Sequence, residues 1–443
     1  MHSTHSEAPL IVYIDFKSPY AYLAVEPTRK MLARLGVVAD WRPFVLDIGS
    51  YLGTAKLGKS GKVKEQSRSA EQWSGVKYAY FDCRRYANLR DLMVRGTVKI
   101  WNTNLPAIGM FWVKQQESLV EQCQPGSLLN KFLDAVYEPF WKRELDVEQL
   151  DVVEGILQRI GADVTGFKAY AEGPGQAFNT EFQHATFAAG VYGVPTYIVD
   201  AQASGATQKY FGREHLPRIS WHLTGEQGEA PDIAYEGFEN AAQVETHQAG
   251  LTVCVDFKSP SAYLAVAPTL AMAAQKGVQL DWQIIATPAL REPVNPGPEA
   301  DRSVLHRYTR GRYIADDLQR YAPHPLNNLY DTERSDRAAI GLLWVIQRQG
   351  NTNAYVGEVF DRYWKRNEGI DDIADITTVL AQLEIETSGF ETFAAEVGAQ
   401  QALKMREDSS AKGVTTSPTY LIADEPFQGR QHLPLLADLL TSD

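Results

Sequence analysis

The sequence predicts an α/β protein of two tandem units, each running β-α-β, a long helical insertion, and then β-β-α. Three observations predict it: an internal repeat, a strand-to-helix junction heading each copy, and helical periodicity through the middle of the chain. Residues 10–28 read LIVYIDFKSPYAYLAVEPT and residues 251–269 read LTVCVDFKSPSAYLAVAPT, identical at fourteen of nineteen positions at an offset of 241. Later landmarks recur in the same order. Tyr78, Asp82, Arg85 and Tyr86 return as Tyr313, Asp317, Arg320 and Tyr321; Pro195-Thr196-Tyr197 returns as Pro418-Thr419-Tyr420; Gly212-Arg213 returns as Gly429-Arg430. The offset shrinks to 217 by the last of these, so the second copy is 24 residues shorter between its outer landmarks. Ordered matches with losses between them mark a tandem duplication.

Each element has a local reason. Residues 10–14 are a short apolar run suited to a buried strand. Ser18-Pro19 has the form of an N-cap followed by proline in the first helical turn, and Gly36 ends the helix spanning 21–35. A second strand is expected over 37–45, and mostly helical periodicity over 70–189. A third strand follows Pro195, a fourth lies near Tyr210-Phe211, and a last helix spans 214–223. The α-linked first two strands should pair in parallel and the closely spaced last two as a hairpin. Residues 225–249 hold six acidic residues and no Lys or Arg, which suits a solvated linker. The expected organisation is therefore a first domain over 1–235, a linker over 236–249, and a shorter, more diverged second domain over 250–443.

Composition narrows the function. With 43 Lys+Arg against 55 Asp+Glu, the net charge of −12 disfavours a nucleic-acid binder, which needs a basic face. No apolar run approaches the ~18 residues of a membrane-spanning helix, and the polar N-terminus does not read as a signal peptide. Cys83, Cys123 and Cys254 include no C-x-x-C pair, which excludes a disulfide framework and a dithiol redox site. Nine histidines show no H-x3-H pair, so no metal site is expected. A soluble cytoplasmic protein is the expectation.

Motifs and element order together resemble the thioredoxin superfamily, specifically the kappa-class glutathione transferase and 2-hydroxychromene-2-carboxylate isomerase family, beside the DsbA-like oxidoreductases. The resemblance is carried by Asp15-Phe16-Lys17-Ser18-Pro19-Tyr20-Ala21-Tyr22-Leu23-Ala24, by Tyr78, Asp82, Arg85 and Tyr86, by residues 190–196 (GVYGVPT), and by Phe211-Gly212. It implies glutathione as cofactor and a cis-proline in each copy. It also implies a small electrophile as partner, aromatic and anionic in type, and an intramolecular pseudo-dimer of the two copies. Ser18, with Ser259 as its counterpart, would stabilise the glutathione thiolate: a serine N-cap lies in the field that stabilises a cysteine thiolate in redox members of the fold. Val194 and Pro195, with Ser417 and Pro418 in the second copy, would offer a backbone edge to the cysteinyl peptide. Gly212, Arg213 and Glu214 occupy the position at which relatives bind the γ-glutamyl amine. The family's G-x-D-R is G-R-E-H here and G-R-Q-H in the second copy, where Gln431 carries no carboxylate. The second copy also has Ile284 in place of Pro43.

Some features admit plainer readings. Tyr78, Asp82 and Arg85 fall on one helical face and are expected to pin the insertion to the domain. Gly53-x4-Gly58-Lys59-Ser60 matches a P-loop, which would need a strand before it and a helix after it. The alternative is a basic loop beside the active site whose Lys59 and Lys62 attract an anionic substrate, with Tyr20 of the D-F-K-S-P-Y stretch as a further candidate substrate residue. A non-catalytic binding role for one or both copies is the remaining alternative.

Overall fold

The computed structural model describes residues 4–57, 63–201, 205–236, 250–331 and 335–440. It divides into two compact units: Met1–Ile233 together with Gly297–Thr309, and Ala234–Pro296 together with Arg310–Asp443. The stretch Gly297–Thr309 belongs to the second repeat by sequence and to the first unit by packing, while Ala234 and Tyr235, placed at the end of the first domain by sequence, fall in the second unit.

In the first unit β1 (Leu10–Ile14) pairs in parallel with β2 (Ala39–Pro43). After β3 (Ala55–Leu57) and β4 (Val63–Gln66), a small antiparallel hairpin, come the insertion helices from Ala70–Asn88 to Pro174–Ala188. The chain then returns to β5 (Thr196–Asp200), antiparallel to β1, and β6 (Thr207–Phe211), antiparallel to β5. The order β2-β1-β5-β6 is a mixed four-stranded sheet. All five residues of β1 are buried, as a central strand covered on both faces requires. The second unit repeats the plan with β7 (Leu251–Val255), β8 (Leu280–Ile284), β9 (Thr419–Ile422) and β10 (Glu425–Gln428) in the order β10-β9-β7-β8.

Helix Pro19–Leu35 begins at the Ser18 cap and stops at Gly36, whose φ of 64° is left-handed and suits glycine. Pro27 inside it has no N–H to offer the Leu23 carbonyl four residues earlier. Arg90 Nη1 donates to that carbonyl at 2.8 Å, so the defect also anchors the insertion. The aromatic core beside β1 includes Phe16, edge-on to Phe132 and 4.9 Å from Tyr137.

Candidate functional site

In the first unit, Ser18 caps its helix with φ −95° and ψ 116°, and its hydroxyl accepts from the Ala21 amide at 3.2 Å. The same hydroxyl faces the Val194 carbonyl at 3.5 Å, the long limit of a hydrogen bond. Val194–Pro195 is a cis peptide, and the Pro195 carbonyl accepts from Gly212 N at 3.0 Å. Helix cap, proline loop and the turn after β6 therefore meet at one end of the sheet. At that turn Gly212 has φ 112°, and a Cβ there would collide with the carboxylate of Glu214 folded over it.

Asp15 fixes the loop that presents Ser18. Its carboxylate accepts from the Thr103 hydroxyl at 2.6 Å, the Leu46 amide at 2.7 Å and the Lys17 amide at 3.3 Å. Its carbonyl accepts from Ser18 N at 3.0 Å and from the Tyr137 hydroxyl at 3.1 Å. Sequence reasoning assigned Asp15 no role, although the repeated D-F-K-S-P was the available signal. Asp256 repeats it, accepting from Ser335 at 3.0 Å and from Thr287 N at 2.8 Å.

The second unit's cap is more tightly tied. Ser259 accepts from Ala262 N at 3.2 Å and donates to the Ser417 carbonyl at 2.9 Å, before the second cis peptide, Ser417–Pro418. The Ser417 hydroxyl in turn accepts from Asp256 N at 2.8 Å. Gly429, φ 98°, is covered by Gln431, whose amide donates to the Gln428 carbonyl at 2.8 Å.

Two of the residues expected at the ligand, Arg213 and Tyr20, contact side chains of helix Ala70–Asn88. Arg213 is 1% exposed, with its guanidinium 4.6 Å from the Tyr86 ring. Its charge lowers the Asp82 carboxyl, yet burial, the larger effect, holds that carboxyl above its ordinary value. Arg85 donates to Asp82 at 2.8 Å and the Tyr20 hydroxyl donates at 3.3 Å. Arg213 and Tyr20 thus take part in the cluster that pins the insertion. In the second unit Arg430 lies 5.4 Å from the Tyr321 ring, and Asp317 accepts from Arg320 at 2.6 Å.

The described elements around the Gly53–Ser60 motif are not those of a P-loop. A short helix, Ile48–Leu52, precedes it, β3 (Ala55–Leu57) lies within it, and the next described element is the strand β4 (Val63–Gln66), where a P-loop needs a strand before and a helix after. Lys59 and Lys62 lie outside the described residues. The cysteines are poor nucleophiles: burial pushes every thiol up, Cys254 to about 12.

A DSBA-like thioredoxin domain model matches residues 9–223 and, a second time, residues 251–441. The chain belongs to the DsbA-like thioredoxin family. Both copies of this DsbA-like domain have serine at the cap, Ser18 and Ser259. Among curated proteins, a 2-hydroxychromene-2-carboxylate isomerase of Sphingobium xenophagum is 24% identical over 226 residues, spanning 48% of this chain and 95% of its own. Among solved structures, a 2-hydroxychromene-2-carboxylate isomerase is 24% identical over 42% of this chain and 92% of its own, with a TM-score of 0.34. The cytosolic disulfide reductase DsbM of Pseudomonas aeruginosa, solved with GSH, is 15% identical over 43% of this chain and 95% of its own, with a TM-score of 0.32. Among the described residues of the DsbA-like pair, no helix is long and apolar enough to cross a membrane.

Proposed function

We propose that the protein is a glutathione-dependent isomerase or transferase acting on a small, aromatic, anionic electrophile, with the first unit's site as the working one. The observation that carries this reading is the Ser18 hydroxyl, held at a helix N-terminus and facing the Val194 carbonyl at only 3.5 Å. A helix N-terminus favours negative charge, and a hydroxyl in so long a contact can turn to donate to a sulfur anion. The isomerase of Sphingobium xenophagum, whose named substrate is an aromatic carboxylate, supports the substrate class.

The residues present fit glutathione. The backbone at Val194, at the head of β5, suits pairing with the cysteinyl part of a tripeptide. The Glu214 carboxylate over Gly212 suits an ammonium group. Bound glutathione would supply a thiolate for reversible addition to an activated double bond, the chemistry that permits rotation about that bond. Ser18 donates a hydrogen bond to that sulfur, and Asp15 holds the loop that aims the hydroxyl.

The test is Ser18→Ala in the full chain, assayed for glutathione-dependent turnover of hydroxychromene carboxylates and of electrophilic aromatic acids. Loss of one hydrogen bond to a charged group, roughly 1.5–3 kcal/mol, lowers the rate about ten- to a hundred-fold. Undiminished turnover in the variant removes Ser18 from the mechanism. For the second unit a binding role without turnover is favoured, because its serine already donates to Ser417 at 2.9 Å.

A further inference from the structure

The stretch Gly297–Thr309 is encoded in the second repeat but packs as part of the first compact unit. Its two best-placed side chains lie at and just after the start of helix Arg302–Tyr321. The Arg302 guanidinium stands 4.2 Å from the Phe187 ring, and its Nε lies 3.4 Å from the Asp47 carboxylate. One turn on, the His306 ring is 7% exposed and stacks on Tyr51 at 4.0 Å with 5° between the planes. Its edge meets Tyr192 at 5.6 Å and 83°.

Both tyrosines border the site. Tyr192 lies two residues before Val194 and packs 5.0 Å from Phe211, next to Gly212. Tyr51 is close enough to Asp15 that this carboxylate, after burial, raises its phenol. His306 is thus wedged between the proline loop and the helix Ile48–Leu52, both of which flank the Ser18 loop.

We propose that the first unit's site is built from both repeats, with His306 as a positioning residue that holds Tyr192, and through it the Val194–Pro195 peptide, opposite Ser18. The role is assigned to the aromatic ring, which stacks face-on against Tyr51 and meets Tyr192 edge-on. Neither repeat alone carries the whole site.

Hydrogen exchange and calorimetry on the full chain test this. His306→Ala is expected to speed amide exchange at least tenfold in residues 48–52 and 190–194, leaving β1 and β2 as in wild type. His306→Phe, which keeps a flat ring, is expected to restore slow exchange. The ligand measurement rests on the function proposed above: glutathione affinity should fall about tenfold in His306→Ala and recover in His306→Phe. Unchanged exchange in His306→Ala, acceleration spread evenly over the unit, or failure of Phe to rescue would each overturn the proposal. Faster local exchange in a chain that binds no glutathione even as wild type supports the positioning role and instead sinks the glutathione reading.

Discussion

Serine and cysteine at a helix N-cap meet the same electrostatic field, and only the chemistry of the atom differs. The first amides of helix Pro19–Leu35 point at position 18, and the Ala21 amide already donates to the Ser18 oxygen. A thiol placed there should ionise more readily than a free cysteine, whose pKa is about 8.5. Ser18→Cys is therefore expected to introduce one thiol titrating at least a unit below that value, followed by ultraviolet thiolate absorbance. Cys83, Cys123 and Cys254 give no signal in that range, because burial raises all three. A new thiol titrating at about 8.5 or above would show that the cap does not stabilise an anion. Arg213 teaches the converse lesson at the same scale. Its position beside Gly212 marks it for a ligand, but the residue is 1% exposed and its guanidinium sits against the Tyr86 ring.

Between elements, buried ion pairs set both geometry and acid stability. Asp40 on β2 accepts from Arg42 Nη2 at 2.6 Å and from Lys114 Nζ at 2.6 Å, tying the sheet to helix Asn104–Lys114. Burial by itself raises the Asp40 carboxyl, but Lys114 and Arg42 together outweigh it and hold the carboxyl below its ordinary 3.8. A depressed carboxylate contributes stability that is whole above the unfolded value and is lost as pH falls through the lower folded value. Asp40→Asn leaves two buried cations without their partner, so near neutrality it should cost about 3–5 kcal/mol in denaturant unfolding. The gap between variant and wild type should narrow as pH falls from about 3.8, where the unfolded chain begins to take up the proton, through the lower folded value, where the native carboxylate does. A gap that stays constant into acid would show that the pair does not behave as a linked titration. Such networks mark where the sequence stops being legible. Ser18, Pro19 and Gly36 act on their own helix, so their roles can be read from spacing alone. The strands β3 and β4 flank a Gly- and Lys-rich stretch with no alternating pattern, which reads as a basic loop that also matches a P-loop pattern and gives no sign of a hairpin. The direction of Arg213 and the packing of His306 depend on residues far away in sequence, and no local pattern encodes them. The proline loops were legible because GVYGVPT stands as a block ahead of a strand.

Over the whole molecule, duplication has left two sites that share a plan and differ in chemistry. The first has Ser18 in a 3.5 Å contact with Val194, a Glu214 carboxylate over Gly212, and His306 against Tyr192. The second has Ser259 donating at 2.9 Å to Ser417, and Gln431, which donates to Gln428, in place of the carboxylate. If glutathione is the ligand, the first site should bind it more tightly. Losing a charge-assisted partner for the ammonium costs about 1.5–3 kcal/mol when the pair is desolvated, and 1.4 kcal/mol is already about tenfold in affinity. Calorimetry on the full chain should therefore show one tight site and one weaker by at least about tenfold. Glu214→Gln should bring the tight site toward the weak one. Gln431→Glu should do the reverse, because a carboxylate cannot keep the bond to Gln428 and is released toward a cation. Turnover should follow binding, falling about ten- to a hundred-fold in Ser18→Ala and less than about twofold in Ser259→Ala. Two equal sites in the isotherm, or a larger loss from Ser259→Ala, would move the working site to the second repeat.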